Sequence, residues 1–169
     1  DIPLRTKDRD ESHPLTMAGG PSVFNPEPLA PFIDFFVVGE GEDAIVEIAE
    51  LLRTMKTNTR REKLEALAKI EGVYVPELYP METMPDGRIL PKVDAPRIVK
   101  RIVQNLDGAT FPVNYVVPYT QQVHDRVGLE VLRGCTQGCR FCQAGMVTRP
   151  VRERSLEKID ELMERTLAA

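Results

Sequence analysis

Residues 1–134 hold no cysteine, and the chain's three, Cys135, Cys139 and Cys142, crowd into one short stretch near the carboxyl end. An odd number of clustered cysteines without distant partners argues against a disulfide framework and for metal binding in a reducing compartment. Long apolar runs are missing too. Even Phe32 to Val38 is interrupted by Asp34, well short of the roughly 20 residues of a membrane helix, so the expectation is a soluble protein without a membrane partner. Acidic and basic residues interleave from Asp1 to Glu11, where a secretory signal would show a basic start and an apolar core. The expected compartment is the cytoplasm. A strong basic charge is absent as well: the net charge is −4, which predicts no generic affinity for nucleic acid.

What remains is ordinary globular composition, 42% hydrophobic and 28% charged, with room for one domain or two small ones. Pro14 to Ala18 reads as a short buried strand stopped by Gly19-Gly20-Pro21. Asn25 is the expected N-cap of a short helix with Pro26 at its first position, ending near Asp34. Phe35-Phe36-Val37-Val38 is a continuous apolar strand of the kind a parallel sheet covered on both faces requires. The spacing of Ile45, Ile48, Ala49, Leu52 and Met55 predicts a helix over about 43–56. Thr59-Arg60-Arg61-Glu62 has the form of a capping box opening a second helix with Leu64 and Leu67 inward, before a strand at Val73-Tyr74-Val75.

Consecutive strand and helix units give an α/β class. Met84-Pro85-Asp86-Gly87 marks a turn between two extended pieces, and recurring prolines make the middle third a structured connector. Val127 to Leu132 predicts a strand that delivers the chain to Cys135. Ser155 predicts the cap of a last helix carrying Leu156, Ile159, Leu162, Met163 and Leu167 on one side.

The cysteines follow a C-x3-C-x2-C pattern, with glycine before the first two and Phe141 before the third. Three thiolates on so short a loop can grip three irons of a 4Fe-4S cube, leaving one iron open, whereas a fully ligated cluster takes four. A structural zinc site usually takes four ligands in two separated pairs, so His13, His124 or a partner's residue would have to complete it here. The spacing favours the cluster.

Gly39-x-Gly41-x-x-Ala44 formally fits a dinucleotide fingerprint. Glu40, Glu42 and Asp43 would set negative charge where a pyrophosphate should approach, which argues against nicotinamide or flavin. Arg126, Arg133, Arg140, Arg149, Arg152 and Arg154 form a local positive excess, read first as solvated or ion-paired surface and second as contacts for an anionic substrate, RNA included. His124 and Asp125 are adjacent on an extended segment and point to opposite sides, which favours a structural role.

Cys135, Cys139, Phe141 and Cys142, between a strand and a helix, resemble the opening βα unit of the radical S-adenosylmethionine (radical SAM) enzymes. Upstream, Gly19-Gly20-Pro21 and Val38-Gly39-Glu40-Gly41-Glu42 resemble the second half of the cobalamin-binding domain that precedes the radical domain in one subgroup. Val123-His124-Asp125-Arg126 and the run from Arg149 to Ser155 fit the same subgroup. The resemblance implies the carboxyl-terminal part of a flavodoxin-like domain over 1–57 and a helical, proline-rich connector over 58–124. The first βα unit of a partial TIM barrel would occupy 125–169. The chain is thus expected to be an internal piece, cut at both ends and inactive alone.

The resemblance further implies a 4Fe-4S cluster on the three cysteines, S-adenosylmethionine on the open iron, and an electron donor of flavodoxin or ferredoxin type. Cleavage would give methionine and a 5'-deoxyadenosyl radical that takes a hydrogen atom from an unidentified substrate. Phe141 is implied beside the adenine, and Gly19 and Gly20 against the nucleotide tail of a cobalamin. Two motifs of such proteins are missing: the glycine-rich motif for the methionine amino group, and the Asp-x-His-x-x-Gly that supplies a lower cobalt ligand in many relatives. A methylthiotransferase-like enzyme acting on tRNA or a ribosomal protein is the runner-up, although it normally needs a second cluster and residues 1–134 have no cysteine to hold one. A zinc-stabilised interaction module without catalysis is the third reading.

Overall fold

Met17–Ala18 forms strand β1 and Phe35–Val37 strand β2, paired in parallel with Met17 opposite Phe35 and Ala18 opposite Phe36. The computed structural model to which they belong describes residues 1–116, 118–121, 123 and 126–168. The chain divides into two compact units, Asp1–Ile102 and Val103–Ala169. The boundaries expected at 57/58 and 124/125 fall inside these units. Asp125 and His124 lie outside the described residues.

Between β1 and β2 the expected α-helix is replaced by two 3-10 turns, Pro21–Phe24 and Glu27–Leu29. Asn25 closes the first of them, its amide donating to the Ser22 carbonyl at 3.3 Å, instead of capping a helix. The cause is local. Pro26, Pro28 and Pro31 offer no amide for an i→i−4 bond, and Asn25, directly before Pro26, lies outside the α region at φ −125° and ψ 78°.

Helix α1 spans Glu42–Thr54 and α2 spans Arg60–Leu67. The Thr59 capping box is present: its hydroxyl accepts from the Glu62 amide and the Glu62 carboxylate accepts from the Thr59 amide at 2.8 Å. Strand β3, Val73–Tyr74, pairs antiparallel with β2, so the sheet is mixed, in the order β1-β2-β3. The alternating side chains of β2 feed two cores. Phe35 and Val37 join Ala44, Ile48, Leu64, Leu67, Val73 and Val75 on one side, while Phe36 joins Val23 and Tyr74 on the other. That two-sided burial is what the unbroken apolar run required.

On α1 the inward stripe is Ala44, Ile48, Leu51 and Leu52, not the expected one through Ile45 and Ala49. Ile45 is exposed, since the helix is rotated so that positions 44, 48 and 51 meet the sheet. The α/β class holds as a mixed arrangement of small sheets and helices. After Pro76–Leu78, a further 3-10 turn, β4 (Met81–Thr83) and β5 (Ile89–Pro91) make an exposed hairpin about the Met84-to-Gly87 turn.

In the second unit, β6 is reduced to Leu132–Arg133, and it leads to helix α3, Ala144–Val147, then β7, Arg152–Glu153, and helix α4, Leu156–Leu167. β6 and β7 pair antiparallel, Leu132 opposite Glu153 and Arg133 opposite Arg152. Ser155 caps α4 as expected, accepting from the Lys158 amide at 3.1 Å. Leu162 and Thr166 are its buried residues, while Leu156 and Leu167 are exposed. Among the described residues no helix is long and apolar enough to cross a membrane.

Candidate metal centre

The cysteine loop is the connection between β6 and β7, so an antiparallel pair closes its neck. Gly134 makes the entry possible. Its φ is +98°, and a Cβ there would lie 2.5 Å from the Pro150 carbonyl oxygen and 2.9 Å from that of Thr148. No side chain fits that approach, and the backbone region is one that L-residues rarely enter.

Within the loop, the Cys135 sulfur accepts from the Gln137 amide at 3.4 Å and the Cys142 sulfur from the Gly145 amide at 3.3 Å. The Cys142 amide donates to the Cys139 carbonyl at 3.0 Å, making a turn with Arg140 and Phe141 at its centre. Arg149 ties the far limb, donating to the Gln137 carbonyl at 3.0 Å. Cys139 is exposed, the other two cysteines are half-buried, and all three are free thiols. Phe141 is 91% exposed.

Among the described residues, no group of three or more His, Cys, Asp or Glu side chains is gathered closely enough to hold a metal ion. The donor chemistry nevertheless fits an iron–sulfur cluster. Three thiols share one loop, and two of the sulfurs already accept backbone amides, the kind of contact that tunes cluster sulfur. A zinc site finds less. His13 is engaged in a turn with Asp10, with 2.8 Å between its Nδ1 and the carboxylate, and lies in the first unit. His124 lies outside the described residues.

The arginine surplus has an outcome that charge counting did not foresee. Arg152 and Arg154 are buried, and both donate to backbone carbonyls. Arg152 donates to Val103 at 2.7 Å, Pro150 at 3.1 Å and Thr148 at 3.2 Å. Arg154 donates to Glu130 at 2.9 Å and to Leu106, and stacks over the Phe111 ring at 5.6 Å. Arg133 instead forms a two-pronged pair with the Glu130 carboxylate, both contacts at 2.9 Å. Gly134, Gly145 and Arg149 therefore join the cysteines as residues that shape the loop. The sequence signal for the first was its place directly before Cys135.

In the first unit, Gly19 and Gly20 follow the carboxyl end of β1 and are exposed. Gly20 has a φ of +96°, and a Cβ on it would meet nothing within 4 Å. The start of α1 carries Glu42 and Asp43 in its first turn, which suits the helix dipole and opposes a phosphate.

Residues 1–76 match the family described as radical SAM proteins, N-terminal. An uncharacterized protein of Methanocaldococcus jannaschii, MJ0966, is 31% identical over 160 residues, covering 93% of this chain and 29% of the relative. The chain thus spans less than a third of the length of that relative. No solved structure matches it. The amino-terminal match supports a radical SAM protein, and it comes from the unit that holds none of the three cysteines.

Proposed function

We propose that the chain is part of a radical SAM enzyme in which Cys135, Cys139 and Cys142 hold a 4Fe-4S cluster and S-adenosylmethionine is the second cofactor. The observation that carries this reading is the three-thiol loop pinned by Gly134 and Arg149, in the same chain as the matching amino-terminal region. When bound, the cluster supplies the electron that cleaves S-adenosylmethionine. The chain's own part is to present three sulfurs on a loop with a fixed neck, with the backbone at Phe141 placed for the adenine. An electron donor of flavodoxin or ferredoxin type is the partner this reading requires.

Anaerobic reconstitution with iron and sulfide tests it. A brown, reducible cluster whose electron paramagnetic resonance spectrum changes on adding S-adenosylmethionine is expected, and Cys135→Ala, Cys139→Ala and Cys142→Ala each abolish the cluster. Stoichiometric zinc with no assembled cluster would overturn it in favour of a structural zinc site.

Cobalamin is assigned in this reading to Gly19 and Gly20, which stand open at the carboxyl end of β1, where ligands of open α/β sheets bind. Hydroxocobalamin should then shift its visible spectrum with the chain and lose that shift with Gly20→Val. No shift and no retention on gel filtration would remove cobalamin from the assignment.

A further inference from the structure

We propose that Cys139 and Cys142 form a redox pair in the metal-free chain, closing to a disulfide with a low-molecular-weight disulfide as oxidant while Cys135 remains a thiol. The turn supplies the geometry. The Cys142 amide donates to the Cys139 carbonyl at 3.0 Å, and such a turn holds its end Cα atoms within about 7 Å, overlapping the roughly 4.4–6.8 Å span a disulfide bridges. Cys139 is exposed, and its neighbour Gly138 is open, since a Cβ on it would meet nothing within 4 Å. A small disulfide therefore reaches Cys139 first. Cys142 sits at the other end of the turn as the resolving thiol, its sulfur already placed by the Gly145 amide.

Cys135 belongs to a limb that is anchored separately. Its sulfur accepts from the Gln137 amide, and Arg149 holds the Gln137 carbonyl. The step balances as thiol–disulfide exchange. Cys139 sulfur attacks one sulfur of glutathione disulfide and displaces one glutathione. Cys142 sulfur then attacks the Cys139 sulfur of the mixed disulfide and displaces the second. The two cysteine protons end on the two glutathiones, and the oxidant takes the electron pair. Closure removes two of the three thiols on which the proposed cluster depends, and a dithiol reverses it. The pairing itself needs no cluster and is read on iron-free chain, so its failure and the failure of the proposed function are separable.

The test uses the 169-residue chain, freed of metal, reduced, desalted without oxygen and exposed to glutathione disulfide before its remaining thiols are blocked with iodoacetamide. Loss of two of the three alkylatable thiols is expected. Trypsin then leaves Gly134–Arg140 disulfide-linked to Phe141–Arg152, with the blocking group on Cys135. Cys135→Ser should pair as fully as the unaltered chain, and Cys142→Ser should stop at a glutathione adduct on Cys139. A dominant Cys135–Cys139 disulfide, a mixture with the blocking group shared between Cys135 and Cys139, or three blocked thiols would overturn the pairing.

Discussion

The first unit buries Phe36, Leu64, Leu67 and Val73 at 2% exposure or less, whereas among the described residues Leu106 alone of the largest fully buried side chains belongs to the second. The second unit buries Arg152 and Arg154 as well as Val103, Leu106 and Leu162, and their guanidinium groups donate to carbonyls of three segments, at 103 and 106, at 130, and at 148 and 150. Both solutions obey the same demand, that buried backbone carbonyls be paired. Strand pairing meets it in the first unit. In the second, where the strands are two residues long, planar five-donor side chains do the work of missing strands. The cysteine loop, with Cys139 exposed, is thereby held by a scaffold with little apolar core.

The first unit also uses an arginine cluster, but for a different purpose. All five N–H groups of Arg9 are engaged, with Asp34, the Thr16 hydroxyl and the carbonyls of Pro3, Leu4 and Phe32. Arg60 approaches the other oxygen of Asp34. This network fastens the amino-terminal segment to the end of a core that is already apolar.

The comparison is broken most forcefully at Phe36. Phe36→Ala is expected to cost about 3–5 kcal/mol, measured by urea unfolding with peptide-resolved hydrogen exchange. Peptides of residues 35–75 should lose protection before those of 103–168. Equal loss in both would show one cooperative body and end the contrast. Next in size is Arg154→Met, which keeps the stem and removes every donor. The Leu106 and Glu130 carbonyls lose this guanidinium, and exchange should rise in the second unit with a cost of about 1–3 kcal/mol. Arg154→Lys should fall between the two. Unchanged stability in Arg154→Met would mean that the apolar residues of the second unit suffice.

Much of the first unit was legible because its signals were local: the Thr59 to Glu62 capping box, the unbroken Phe35-to-Val37 strand, and the turn at Asp86-Gly87. The helix after Asn25 was misread because the cap signal was weighed without the prolines that follow it at 28 and 31. The α1 face was misread by a small rotation, since Ile45 and Ala49 also satisfy the helical period and only the sheet decides which stripe turns inward. In the second unit the cysteine spacing and the Ser155 cap were plain. The roles of Arg152 and Arg154 were not, because a bond from arginine to a carbonyl distant in sequence leaves no pattern in composition or period.

The helix caps offer a finer contrast. Thr59→Ala in the first unit and Ser155→Ala in the second should each cost about 0.5–2 kcal/mol, read as loss of protection in α2 and α4 respectively. Ser155 carries an additional tie, since its amide donates to Asp107 at 2.9 Å. That tie survives Ser155→Ala and fastens α4 to the segment just after Leu106. The two caps therefore separate only when Asp107 is altered as well.

Acid sharpens that last difference and should produce the smallest effect. The Ser155 amide and hydroxyl hold the Asp107 carboxyl below its ordinary value. In the first unit burial pushes Asp34 up, but the Thr16 amide, Arg60 and the Thr16 hydroxyl outweigh it and leave that carboxyl lowered too. A carboxyl lowered by folding contributes its full stability above its unfolded value, about 3.9, and loses it as pH falls through the lower folded value. Protection of both units should thus stay flat from about pH 7 to about pH 5 and fall only below about 4. Asp107→Asn keeps an oxygen for the Ser155 amide, so α4 should exchange near its original rate at neutral pH, while its acid-dependent opening fades and that of the Asp34 network persists. If α4 opens at the same acidity in Asp107→Asn, its acid sensitivity comes from another group.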